Sequence, residues 1–197
     1  MTLTPSQVEN LRRTILVLQK SPNFSAQLKV IALWDWTDEY DNMNGHYDPF
    51  WKTIRVRAPQ DFKGKNRAFS LVLTHELFHA FQCAEPELAA ELSLKAGWST
   101  DPETEQTTFT EGRFNWVTGN EEDLLKLPGL PVGVPTRRSL ISSEEHFADA
   151  MLFAFLRERN PDWIDHKYFD NLKAYKESEN QKWTYQVFKR FFALPAK

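Results

Sequence analysis

Cysteine is almost missing from this 197-residue chain: Cys83 stands alone, so no intramolecular disulfide can form and a disulfide-stapled scaffold is excluded. Neither sign of charge dominates, with 24 basic against 27 acidic side chains and a formal net charge of −3. A nucleic-acid binder needs a clustered positive surface to meet phosphates. Here the basic residues come as the pairs Arg12-Arg13, Arg55 with Arg57, and Arg137-Arg138, not as a stripe. Long apolar runs are also lacking: stretches such as residues 71–73 and 151–156 fall far short of a bilayer span. No basic segment followed by an apolar one marks a signal near Met1. The expectation is a soluble, cytoplasmic protein without nucleic-acid or membrane partners, with export that needs no N-terminal signal left open.

Apolar mass is plentiful. Hydrophobic residues make up 41% of the chain, with 15 Phe, 7 Trp and 5 Tyr, enough for one compact core. The reading is a single domain over residues 1–197, with 1–20 and 160–197 as flanking helical parts. Thr4-Pro5 is a helix start, and Val8, Leu11, Ile15 and Leu18 follow at helical spacing. Residues 28–34 (LKVIALW) read as a buried strand, residues 38–45 as turn-prone, and residues 53–57 (TIRVR) as a strand with one buried face. Residues 67–84 carry no Pro or Gly and read as a buried helix, which Pro86 stops. A short helix over 87–95 is closed by Gly97, residues 99–110 read as a polar loop, and 109–117 as a hairpin strand. Residues 126–135 hold three Pro and two Gly and must be irregular. A helix over 142–159, another opened by Asn160-Pro161, and amphipathic helix to about Phe192 complete the pattern. The class is α+β, with a small mixed sheet near the front and a mostly helical C-terminal part. Cys83 reads as a small buried residue, and Trp34, Trp36, Trp51 and Trp116 as core aromatics.

His75-Glu76-Leu77-Phe78-His79 carries the chemistry. On a helix, positions i and i+4 share one face, so two imidazoles can reach one tetrahedral Zn²⁺. Glu76 lies beside such an ion without ligating it and can take a proton from water, the role of Glu in H-E-x-x-H. Two histidines and a glutamate inside an apolar helix need something to satisfy them. A third ligand is required. Gln82 and Glu85 occupy the positions where a glycine turn and a third histidine would follow, so the candidate is downstream, in the run from Ser142 to Asp149 (SSEEHFAD). Glu145 and Asp149 share a helix face, so one carboxylate can bind metal while the other accepts an N–H from a ligating histidine. Ser142-x-x-Glu145 also reads as a capping box that needs no metal, and Glu144 would take the ligand role in a register one residue off.

HELFH followed by a later helix reading E-H-F-A-D resembles the gluzincin metallopeptidases, especially the small zincins and catalytic domains of the anthrax-lethal-factor type. The resemblance covers about residues 44 to 159. It implies a zincin-like fold with an active-site helix and a following glutamate helix. It implies one Zn²⁺ per chain on His75, His79 and Glu145, Glu76 as general base, and Asp149 supporting the ligands. Asn44-Gly45-His46-Tyr47 leading into residues 53–57 is similar to the strand that rims the cleft in these families, which implies that His46 and Tyr47 meet an extended substrate. The chain departs from the lethal-factor type seven residues before the glutamate ligand, where that group has Tyr and this sequence has Arg138. An arginine can hydrogen-bond a developing oxyanion, or it can be a surface charge. Tyr47, His146, His166, Tyr168 and Tyr175 are further donors. The resulting expectation is zinc-dependent peptide-bond hydrolysis of a polypeptide substrate. The alternative is a catalytically silent protein with structural zinc whose cleft holds a protein partner.

Overall fold

Chain direction and local chemistry build the front of the molecule in the order the sequence dictates. The computed structural model describes residues 3–34, 44–57, 66–119, 121–164 and 167–192; Trp36, His166 and residues 38–43 lie outside them. Among the described residues are eight α-helices and two three-stranded sheets, an α+β fold. No helix of these residues is long and apolar enough to cross a membrane. The chain divides into two compact units, Met1–Pro86 and Glu87–Lys197.

In the first unit, α1 (Pro5–Leu18) starts with a full capping box. Gln7 N–H donates to Thr4 Oγ1, and Thr4 N–H donates to the Gln7 side chain at 2.8 Å. A short α2 (Phe24–Gln27) leads into β1 (Val30–Trp34), β2 (Gly45–Asp48) and β3 (Thr53–Arg57). The sheet is mixed, in the order β1-β3-β2, with β1 parallel and β2 antiparallel to β3. Ile54 and Val56 are fully buried while Thr53, Arg55 and Arg57 are half-buried, the period-two alternation of a strand with one core face. Helix α3 (Asn66–Ala84) packs on β2, β3, α1 and α2. Residues 69–78 are buried without a break, as befits a helix that is apolar nearly all round. Cys83, expected inside, is exposed near the end of this helix.

Helix α4 (Pro86–Ala96) leads into the second unit, and its first residue is the proline that ends α3. Gly97, at φ +109°, closes it in the left-handed conformation. An antiparallel meander follows: β4 (Trp98–Thr100), β5 (Thr107–Glu111) and β6 (Phe114–Val117). The expected loop over 99–110 is therefore corrected to two paired strands. Their threonines are polar yet β-branched, which suits a half-buried pleat. Trp98 and Phe109 point from this sheet into a cluster with Leu124, Val134 and Leu140, against which Trp116 packs and whose Leu140 carbonyl accepts from its indole N–H at 2.9 Å. After α5 (Glu121–Leu124), an irregular stretch and a 3₁₀ turn (Arg138–Leu140) lead to α6 (Ser143–Arg159). Residues 146–156 of α6 are all buried. Phe153 meets Phe169 and Tyr175 at ring-centroid distances of 5.2 and 5.1 Å. Asn160-Pro161 opens only a 3₁₀ turn (Pro161–Trp163); the next helices are α7 (Leu172–Glu177) and α8 (Glu179–Phe191), the latter packed on α6.

Candidate metal centre

The helical period of α3 sets His75 and His79 one above the other. Their Nε2 atoms are 3.1 Å apart, with the rings 4.8 Å between centroids and inclined at 80°. Two nitrogens each ~2.0–2.1 Å from one tetrahedral ion are separated by about 3.3 Å, so the pair is already spaced as two ligands of one ion. His75 is fully buried and His79 half-buried.

Glu76, between them in sequence, is 1% exposed. Its Oε1 has no hydrogen-bond partner among the described residues. A desolvated carboxylate oxygen without a partner is costly, and a hydrogen bond from a water molecule would relieve it. Gly45 of β2 lies against this side chain. A Cβ at Gly45 would come within 2.8 Å of Glu76 Oε1 and 2.6 Å of Val72 Cγ1, so only glycine lets the strand approach this closely.

The first turn of α6, in the second unit, presents the carboxylates. Ser142 is the N-cap, its Oγ accepting from Glu145 N–H at 3.2 Å. The Glu145 side chain meets a guanidinium: Arg138 Nε is 2.7 Å from Oε2 and an Arg138 terminal nitrogen donates to Oε1 at 3.1 Å. This two-pronged grip fixes the plane of the carboxylate. Burial works to lower the Arg138 pKa, but Glu145, with Asp149 and Tyr168, more than offsets it and raises it above the usual arginine range. Glu144 is exposed.

Asp149 is buried and gathers hydroxyls. Thr136 Oγ1 and Ser139 Oγ (2.9 Å) donate to Oδ2, and Tyr168 OH lies 3.4 Å from Oδ1. It thereby ties the 3₁₀ turn bearing Arg138 to α6. Neither Thr136 nor Ser139 stands out in the sequence, because the contacts join residues 10 and 13 positions apart through an irregular stretch. Beside Arg138 opens a cleft of about 610 Å³ lined in part by Leu124, Leu125, Thr136, Ile141 and Tyr168. His146 packs against Phe109 and Trp98, and burial, partly opposed by Asp149, pushes its pKa down to about 4, so it is neutral at pH 7.

His75 and His79, in the first unit, could each give one ligand nitrogen to a metal ion, and Glu145, the third ligand expected from the sequence, belongs to the second unit. Two imidazoles and a carboxylate suit zinc, though the donor types alone admit other transition ions. Compared with family models, curated proteins and solved structures, the chain matches none. The remaining residues singled out in the sequence lie on β2. His46 is exposed opposite Arg55, whereas Tyr47 is buried and its hydroxyl donates to the Gln27 carbonyl at 2.8 Å. Tyr47 thus fastens the strand to the end of α2.

Proposed function

We propose that this protein is a zinc-dependent peptidase in which His75, His79 and Glu145 hold the ion and Glu76 is the general base. The observation that carries the reading is the pair of Nε2 atoms at 3.1 Å, with an unpartnered Glu76 oxygen buried in the same helix. A bound zinc ion supplies a lowered water pKa and polarisation of the scissile carbonyl. Glu76 accepts the proton of the attacking water and delivers it to the leaving amine. Arg138, with two of its N–H groups on Glu145, acts as the positioning residue of that ligand. Asp149, through Thr136 and Ser139, holds the turn from which Arg138 reaches.

The engagement of Arg138 with Glu145 favours one second reading. An arginine so occupied is poorly placed to receive an oxyanion, which suits a protein that holds zinc and binds a partner without cutting it. Glu76→Gln separates the two. The peptidase reading expects zinc near one per chain in both proteins and a fall of about 10²–10⁴-fold in cleavage of an unfolded protein substrate. Chain without zinc after purification in its presence overturns both readings; zinc without chelator-sensitive cleavage leaves the second.

A further inference from the structure

Both hairpins that begin with Asp-Pro use one turn design. In β2–β3, Asp48 Oδ1 accepts from the backbone N–H of Phe50 (3.0 Å) and Trp51 (2.9 Å), and Lys52 closes the loop at φ +55°. In β4–β5, Asp101 Oδ1 accepts from Glu103 (2.8 Å) and Thr104 (3.1 Å), and Glu105 closes it at φ +56°. The aspartate, the proline and the left-handed residue build the turn. The turn asks only the backbone N–H groups of the two residues between, not their side chains, and in the second hairpin they are Glu and Thr. The turn therefore gives no reason for Phe50 and Trp51, which are 80% and 63% exposed and meet edge to face at 4.9 Å. Trp51, expected in a core, has none here.

The neighbours of this tip share its character. Lys29 N–H donates to the Lys52 carbonyl at 2.8 Å, so Lys29 and the half-exposed Val30, the first residue of β1, lie beside the loop. Lys29 is exposed, and Lys52 Nζ reaches the Ala26 carbonyl at 2.7 Å while remaining at the surface. Asp48, the acid of the loop, is turned inward to the backbone N–H groups. The result is a convex aromatic wedge with cations at its base.

We propose that this sheet end is a contact surface for a bilayer containing anionic lipid, with Phe50 and Trp51 entering the interfacial zone and Lys29 and Lys52 against the headgroups. Aromatic side chains favour that zone, and lysines near an anionic surface add attraction that salt screens. A lipid surface can deform around a small wedge, whereas a stable protein interface needs about 800 Å² from each partner, more than a projecting loop offers.

The test is sedimentation of the full chain with vesicles of phosphatidylcholine alone or mixed with phosphatidylserine. The expected result is binding to the mixed vesicles that weakens with salt and falls about tenfold or more in Phe50→Ser/Trp51→Ser and in Lys29→Glu/Lys52→Glu. Glu103→Ser/Thr104→Ser, on the twin turn, is expected to bind like the wild type. An unaltered thermal melt and zinc content in the tip variants show that the loss is local. Absence of binding to mixed vesicles, or full binding by Phe50→Ser/Trp51→Ser, overturns the proposal. Self-association of the wild type, seen by light scattering and abolished in that variant, would overturn it too and assign the tip to a second copy.

Discussion

Gly45→Ala places one methyl group where β2 meets the buried glutamate. The added carbon would start 2.6 Å from Val72 Cγ1 and 2.8 Å from Glu76 Oε1, whereas non-bonded carbons settle at about 3.5–4.0 Å. Strand or helix must therefore yield by about 1 Å. Val72, β-branched on a helix, has one favoured rotamer and cannot swing clear cheaply. Overpacking of this kind costs about 1–3 kcal/mol, offset by about 0.4–1 kcal/mol because alanine narrows the unfolded ensemble. A net loss of about 1–2 kcal/mol corresponds to a melting temperature lower by roughly 2–8 °C. On the proposed peptidase reading the larger consequence is for Glu76, since a misplacement of a general base by about 1 Å can cost about 10²-fold in rate. His75 and His79 stay on the intact helix, so zinc content is expected to be unchanged. Calorimetry, metal analysis and a cleavage assay on the same preparation check the three numbers. Wild-type melting and wild-type turnover together would refute the close approach of β2 to Glu76.

Arg138→Ala removes both contacts to Glu145 and is expected to weaken zinc affinity about 10–100-fold, read by competition with a chromophoric chelator; unchanged affinity would mean that the arginine does not orient a ligand. Tyr47 gives a pH signature. Burial first, then Cys83 and Asp48, push its pKa up from 10 to about 12. Below pH 10 the phenol is neutral in both states. Between about 10 and 12 the unfolded chain ionises first, so stability is expected to fall by about 2 kcal/mol as pH rises through that window. Alkaline denaturation of Tyr47→Phe beside the wild type checks this: the phenylalanine variant is expected to lose that part of the slope.

Elements governed by a single period were legible before any coordinates. The spacing of His75 and His79 follows from helix geometry, and the alternation of residues 53–57 and the long apolar stretch before Pro86 gave strand and helix within a residue or two of their ends. Residues 99–110 read as a loop because Ser99, Thr100, Thr107, Thr108 and Thr110 have the polarity of a solvated segment. In the fold they pair across strands, Ser99 with Thr108 and Thr100 with Thr107, through their hydroxyls. What Arg138 does could not be read either, because a 3₁₀ turn with no strong sequence mark decides where its guanidinium goes. The hydroxyls around Asp149 belong to the same class of contact, joining positions that only an irregular stretch brings together. The repeated Asp-Pro at 48–49 and 101–102 was a usable signal for both hairpins.

Helix α6 goes under the surface almost at once: from His146 to Leu156 every residue is buried, while Ser143, Glu144 and Glu145 remain at the rim. Such a rod behaves like a pile driven into the ground. Its shaft tolerates little change of volume anywhere along its length, so along this helix substitution has one opening, the first turn, where Glu145 stands with the guanidinium that leans on it.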